Sequence, residues 1–261
     1  MFKDYFKKTI LAKMIYKKIK FTIKKAVDNI KFQKDFIAYK KQAEAGVQRF
    51  PIEWKNRRAI LNEKTTSTRF DRHYVYHLAW AARILAQLQP EFHVDISSSL
   101  YFCSMVSAFI PVKFYDYRIP DLNLDNLSVE VGNIVALPFK SASINSLSCM
   151  HVVEHIGLGR YGEPLDPDGD LKAIIELKRV LAVGGFLLFV IPIGKPRIIF
   201  NAHRIYSYEQ IINSFSDLQL KEFSLIPDKF SDGGIIRHAR KEIADNQNYG
   251  CGCFLFYKNP T

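Results

Sequence analysis

The run "FLLFVI", residues 186–191, constrains the fold more than any other stretch. Six apolar residues without alternation make a strand covered on both faces, as in the middle of a parallel sheet. It follows "DLKAIIELKRVLAVGG", an apolar pattern of helical period. Asp168 or Asp170 stands at the start of that helix, in position to cap it, and Gly184-Gly185 lies beyond its end. The same alternation runs upstream. "RHYVYHLAWAARILAQLQP" is a helix on Val75, Leu78, Ala79, Ala82 and Leu85, closed by Pro90. "FHVDI" is a strand and "SSSLYFCSMVSAFI" a helix that its serines can cap. "VKFYDYR", "LSVEV" and "INSLSCM" are three further strands. Downstream, Ser207 opens a helix with Gln210 placed for a capping box, and "KEFSLI" and "CGCFLFYK" close the chain as strands. Such alternation predicts an α/β domain with a parallel sheet and right-handed crossovers. Ligands of such a sheet sit at the carboxyl ends of its strands. There this chain places Asp95, Ser97, Asp116, Asn133 and the whole of residues 151–170.

The charge is unevenly distributed. Residues 1–41 hold 13 lysines against Asp4, Asp28 and Asp35, a net of +10, while the whole chain is +11. The body is therefore close to neutral, which argues against a nucleic-acid partner, whose contacts would need a basic folded face. On a helical wheel Phe2, Tyr5, Phe6 and Ile10 share one side of the tail and Lys3, Lys7 and Lys8 the other. Beyond Leu11 the apolar side rotates, and Met14 and Phe21 fall among lysines, so the helix is amphipathic in pieces. Residues 1–48 read as a basic helical extension that either lies on an anionic membrane surface or packs a few aromatics on a protein. Residues 49–261 read as the domain, with lead helices over 49–91, a sheet over 92–200 and a C-terminal helix and hairpin over 201–261. No apolar run approaches a membrane span, and lysines interrupt every candidate signal peptide, which places the chain in the cytoplasm. Cys103, Cys149, Cys251 and Cys253 are then expected to be reduced, the last two as small buried residues of a strand.

The densest chemistry lies in "HVVEHIGLGRYGEPLDPDGD", residues 151–170. His151-x-x-Glu154-His155 matches the pattern of an inverted zinc-protease helix. That chemistry needs both histidines on one helical face. Val152 and Val153 are β-branched, and Gly157 and Gly159 follow within a turn of His155, so the stretch predicts a loop and no metal. Asp166, Asp168 and Asp170 lack the glycine and glutamate positions of a calcium loop. His73 and His77, four apart on a helix, read as a surface pair without a metal role.

The order of elements resembles that of class I S-adenosylmethionine-dependent methyltransferases from about residue 92 to 258. "ALPFKSASINSLSCMHVVEHI" is similar to that family's "LPF-x-x-x-S-x-D" turn and following strand. "AIIELKRVLAVGGFLLFVIP" is similar to its "E-x-x-R-V-L-x-P-G-G" helix and strand. "HVDISSSLYF", the 151–170 block, "FNAHR" and "YGCGCF" resemble a narrower methyltransferase-like family of unknown function, whose bacterial members accompany surface-polysaccharide genes. The resemblance implies a Rossmann-like seven-stranded sheet, mostly parallel with an antiparallel C-terminal hairpin, and S-adenosyl-L-methionine as cofactor. It implies a first-strand acid at Asp95 and a cofactor turn over Ser97–Ser99. It also implies a ribose acceptor at Asp116 and an adenine contact at Asn133 with Ile134. The family's turn is glycine-rich and this one is not. Serine disfavours positive φ, so the turn is expected to be tighter or differently shaped. Ser146 stands where the family carries an aspartate.

Methyl transfer to a hydroxyl needs a held acceptor and a base for its proton. His155 and His151 are the candidate bases, with Glu154 to orient an imidazole. Arg160, Tyr161, Asp166, Asn201, His203 and Arg204 are candidates to hold a saccharide or lipid-linked saccharide acceptor. Two alternatives stay open: a binding or scaffold protein that no longer holds the cofactor, and another sugar-modifying enzyme on the same fold.

Overall fold

A computed structural model describes residues 2–47 and 49–259, with side chains from residue 12 onward except residue 14. The chain divides into two compact units, Met1–Arg69 and Phe70–Thr261. The first is dominated by α1 (Phe2–Glu44), one unbroken helix of 43 residues. The expected apolar side of Phe2, Tyr5, Phe6 and Ile10, and the side chain of Met14, lie outside the described residues. Further along, Ile15, Ile19, Ile23, Val27, Ile30 and Ile37 are all exposed at helical spacing. These residues share one side of the helix, interrupted at Lys34, and Phe21 lies off it. After the helix, Trp54 returns to pack on Phe36 and Phe32, with ring centroids at 4.9 and 6.2 Å. Arg57 stacks on the same indole at 4.1 Å. Of the lead helices expected over 49–91, only a short 3-10 turn at Trp54–Asn56 precedes α2. No helix among the described residues is long and apolar enough to cross a membrane.

The second unit opens with α2 (Arg72–Leu88), whose N-cap Asp71 accepts Tyr74 N–H. The buried stripe of α2 is His77, Leu78, Trp80, Ala81, Ile84 and Leu85, whereas Val75 is 49% exposed. The burial is turned from the expected face because Trp80 anchors it: its indole is sealed and donates to Glu222 Oε1 at 2.9 Å. The strands follow as β1 (His93–Ile96), β2 (Val112–Asp116), β3 (Leu127–Val131), β4 (Ile144–Met150) and β5 (Leu181–Ile193). After them come β6 (Arg197–Ile199), β7 (His203–Ile205), β8 (Gln219–Ile226) and β9 (Gly250–Tyr257). The main sheet runs β3-β2-β1-β4-β5-β9-β8. Pairs among the first five strands are parallel, and β9 pairs antiparallel with both β5 and β8. The apolar run in β5 is buried throughout, as expected of a strand covered on both faces. α2 and α3 (Leu100–Val106) cover one face around Trp80, Leu85 and Phe102. α4 (Gly169–Val180) and α5 (Tyr208–Ser214) cover the other around Ile174, Leu177, Ile211 and Phe215.

Local chemistry explains most boundaries. The capping box of α5 forms as read, with Ser207 and Gln210 each bonded to the other's backbone. Cys251 and Cys253 are buried, free residues of β9. The aspartates expected to cap α4 do otherwise: Asp168 makes no side-chain cap bond, and Asp170 Oδ2 accepts from the Tyr206 hydroxyl at 2.7 Å. The serines before α3 do not cap it through their side chains either. The β6–β7 hairpin and the short α6 (Lys241–Asp245) carry too few residues to show a period in sequence.

Candidate functional site

A cavity of about 650 Å³ opens at the carboxyl ends of β1 to β4. It lies where the strand order reverses between β1 and β4, the position at which open α/β sheets bind ligands. One wall is the turn after β1. Ser97 takes φ +56, the left-handed conformation that glycine would occupy more easily. The turn is therefore not reshaped to spare the serine. Instead, hydrogen bonds hold it in the strained form. Ser97 Oγ donates to Tyr115 O at 3.2 Å, Ser98 N–H donates to Asp95 Oδ1 at 2.9 Å, and Ser98 Oγ accepts Met150 N–H at 2.9 Å.

Beneath the turn lies a fully buried polar chain. His93 Nε2 meets Ser148 Oγ at 2.8 Å, and Ser148 Oγ donates to Asp95 Oδ2. His93 Nδ1 meets Ser146 Oγ at 2.6 Å, so Ser146 serves this chain where the family has its aspartate. Burial pushes the Asp95 carboxyl up to about 6 and the His93 imidazole down to about 3. Asp95 does not line the cavity and supports the turn from below. Ser99 does not line it either: its carbonyl accepts from Phe102 and Cys103 N–H at the start of α3. Ser97 and Ser98 are the serines that face the space, and Ser98 was not singled out from sequence.

Asp116, at the end of β2, lines the cavity and accepts Arg118 N–H through Oδ1 at 2.8 Å. Asn133 lines it as well, but its amide oxygen accepts Val135 N–H at 3.1 Å in an Asx turn. Only the remaining lone pair of that oxygen is left for a ligand. Ile134 and Val135 add apolar surface beside it.

The opposite wall is the loop after β4. Val153–His155 form one 3-10 turn, so His151 and His155 do not share the helical face that a zinc protease requires. His151, at φ +58, holds Glu154 Oε1 at 2.8 Å through Nδ1 and approaches Cys251 Sγ at 3.4 Å through Nε2. Its ring stacks on those of His73 and Tyr74 at 5.4 and 5.6 Å. His77, far from being a surface residue, is fully buried with its ring 5.0 Å from His151.

His155 also lines the cavity. Its Nδ1 is 2.6 Å from Ala202 O, which assigns the ring proton to Nδ1 and the lone pair to Nε2. Burial lowers its pKa and keeps it neutral at physiological pH. Tyr161 lines the cavity too, with the Arg118 and Arg160 guanidiniums 4.6 and 5.2 Å from its ring centre.

The other candidates brace the loop or lie outside it. Asp166 touches the cavity, but its carboxylate accepts Lys172 Nζ at 2.6 Å and Asp168 N–H at 3.1 Å. The three loop aspartates thus do not converge on one point. Arg160 is exposed and donates to Ala202 O. Arg204 is buried and donates to Ile156 O at 2.7 Å and Pro167 O at 3.1 Å, so it ties the loop together and does not offer its guanidinium to an acceptor. Asn201 is an exposed residue of the β6–β7 turn, and His203 packs on Tyr249 at 5.2 Å outside the cavity. Tyr117, Arg118 and Glu163 face the space and were not read from sequence, because isolated polar residues in loops carry no pattern.

Residues 124–224 match the family model described as a Caenorhabditis protein of unknown function, DUF268. No curated protein matches the chain. Among solved structures, the fold is similar to 1,6-didemethyltoxoflavin-N1-methyltransferase from Burkholderia thailandensis, solved with 1,6-didemethyltoxoflavin and S-adenosylhomocysteine. The identity is 10%, with 70% of this chain and 79% of that one covered and a TM-score of 0.51. It is also similar to a provisionally described methyltransferase from Bacillus halodurans, at 14% identity over 70% of this chain and 99% of that one, with a TM-score of 0.50. At such identity the likeness is one of fold: the second unit has the class I methyltransferase architecture.

Proposed function

We propose that this chain is an S-adenosylmethionine-dependent methyltransferase acting on a hydroxyl of a sugar or lipid-linked saccharide. The observation that carries the proposal is the cavity at the β1–β4 switch point, which places Asp116 and the serine turn on one side and His155 on the other. The residues fit the cofactor. Asp116 is a carboxylate at the end of the second strand, suited to accept from ribose hydroxyls. Ile134 and Val135 offer an apolar wall for an adenine. Ser97, turned by positive φ, and Ser98, both small, leave backbone close to the methionine end. When bound, the cofactor supplies an electrophilic methyl group on a sulfonium. His155 takes the acceptor's hydroxyl proton at Nε2, the lone pair left by the Nδ1–Ala202 bond. Tyr161 gives a sugar ring a flat surface, and Arg118 and Arg160 beside it suit a phosphorylated or acidic saccharide. Surface-polysaccharide assembly is the setting that the sequence resemblance suggests.

Residues 1–41 are proposed to hold the protein at the anionic inner face of a membrane. The support is their charge of +10 and the exposed stripe of α1, since each basic residue adds about 1 kcal/mol near such a surface. Deleting them should abolish co-flotation with anionic vesicles, and unchanged flotation refutes this placement.

Calorimetric titration with S-adenosylhomocysteine tests the central proposal. Binding in the micromolar range, about −8 kcal/mol, that weakens at least tenfold in Asp116→Ala is expected. Folded protein that gives no heat at millimolar ligand overturns it and favours the scaffold alternative.

A further inference from the structure

Three elements distant in sequence bring metal-ligating groups together beside the cavity. His73 comes from the first turn of α2, His151 from the residue after β4 and Cys251 from β9. One donor atom of each lies within 4.8 Å of the other two. His151 Nε2 and Cys251 Sγ are 3.4 Å apart. Zinc bonds of about 2.0 Å to nitrogen and 2.3 Å to sulfur set the N–S edge of a tetrahedral site at about 3.6 Å. The pair is already spaced for a shared ion.

The surroundings favour a cation at this point. Glu154 is 1% exposed and holds His151 Nδ1 at 2.8 Å. That bond keeps the imidazole proton on Nδ1 and turns the Nε2 lone pair toward Cys251, the usual outer support of a metal-binding histidine. The ion-pair contacts of Glu154 among the described residues are to His151 and His155 alone, and its Oε2 is buried with no partner. His77 repeats the pattern. Its Nδ1 is 2.6 Å from His73 O, which leaves Nε2 a lone pair, buried and without a partner, on the ring beside His151. A buried carboxylate and lone pairs gathered without a compensating positive charge are costly.

We propose that His73, His151 and Cys251 form a site for a borderline-soft divalent metal ion of the zinc class. Two imidazoles and a thiolate exclude the hard, oxygen-seeking calcium and magnesium ions. Three protein ligands leave a fourth position open, the arrangement of zinc sites that bind a further molecule. His151 also lines the cavity, so the ion stands in its wall. On binding, the Cys251 S–H bond breaks, the sulfur–metal bond forms from its electron pair, and the proton passes to solvent. Glu154 is a positioning residue that acts through His151. The site stands apart from methyl transfer and is read without cofactor or acceptor.

The test uses the full chain, stripped with a chelator and kept reduced. Zinc chloride is titrated by calorimetry, and cobalt(II) is added to a second sample for absorption. One equivalent of zinc, proton release and a thiolate-to-cobalt charge-transfer band are expected. Cys251→Ser should lose the band. His73→Ala, at a half-buried position, should weaken zinc about 100-fold or more. Glu154→Gln should weaken it about 10- to 100-fold while keeping the band at saturating cobalt. Cys149→Ser, outside the trio, should still bind one equivalent. Circular dichroism checks the fold of each variant, and His73→Ala carries the test if Cys251→Ser does not fold. Folded wild-type protein that takes up no zinc overturns the proposal. So does wild-type affinity in both His73→Ala and Cys251→Ser.

Discussion

Two loops face each other across the cavity, and they reach unusual backbone conformations by opposite means. The turn after β1 contains no glycine, yet Ser97 sits at φ +56. The loop after β4 holds Gly157, Gly159 and Gly162, all at positive φ. In the first, a small polar residue accepts the strain because hydrogen bonds to Tyr115, Asp95 and Met150 determine the backbone around it. In the second, space leaves no choice at Gly157: a Cβ there would lie 2.0 Å from the Asp166 carbonyl oxygen. Backbone strain can be offset by hydrogen bonds, whereas overlap with another segment's backbone cannot. The absence of a glycine is thus weaker evidence against a functional turn than its presence is evidence for a close approach.

The contrast is broken most severely at Gly157. Gly157→Ala forces the loop off Asp166 and should cost about 4 kcal/mol or more, measured by urea denaturation, with loss of any ligand bound in the cavity. A cost under about 1 kcal/mol would mean that the loop rearranges freely.

The serine turn depends on buried Asp95, whose carboxyl burial pushes up to about 6 from its ordinary 3.8. Its neutral form is favoured on folding. The associated stability is complete below about pH 4 and gone above about pH 6, a loss of about 3 kcal/mol. Unfolding at several pH values should show wild type losing about that much relative to Asp95→Asn across this window. A constant difference between the two proteins would show that Asp95 does not titrate there.

The smallest effect sharpens the comparison at Ser97 itself. Ser97→Gly relieves positive φ but gives up the Oγ–Tyr115 bond, so stability should change by less than about 1 kcal/mol. Ser97→Val, β-branched at a left-handed position, should cost about 2 kcal/mol or more. Equal stability of the two variants would remove the role assigned to backbone strain.

The amino-acid sequence by itself determined the main sheet and its helices, because period, caps and apolar runs are local properties. "FLLFVI" became a central strand, Ser207 and Gln210 formed their box, and Cys251 and Cys253 were buried in a strand as read. The strand ends then located the cavity and Asp116. Tertiary structure decided what the polar side chains do there. Arg204 and Asp166 looked like acceptor ligands because they sit in the right segments, but packing turned them to close the loop. Asp95 was drawn beneath its turn, and the buried face of α2 was set by Trp80 reaching Glu222. Above all, His73 and Cys251 stand beside His151 only because β9 joins the sheet through β5, next to β4, and α2 packs on β9. Such a meeting of side chains, 78 and 100 positions along the chain from His151, leaves no periodic trace and exists only once the sheet has formed.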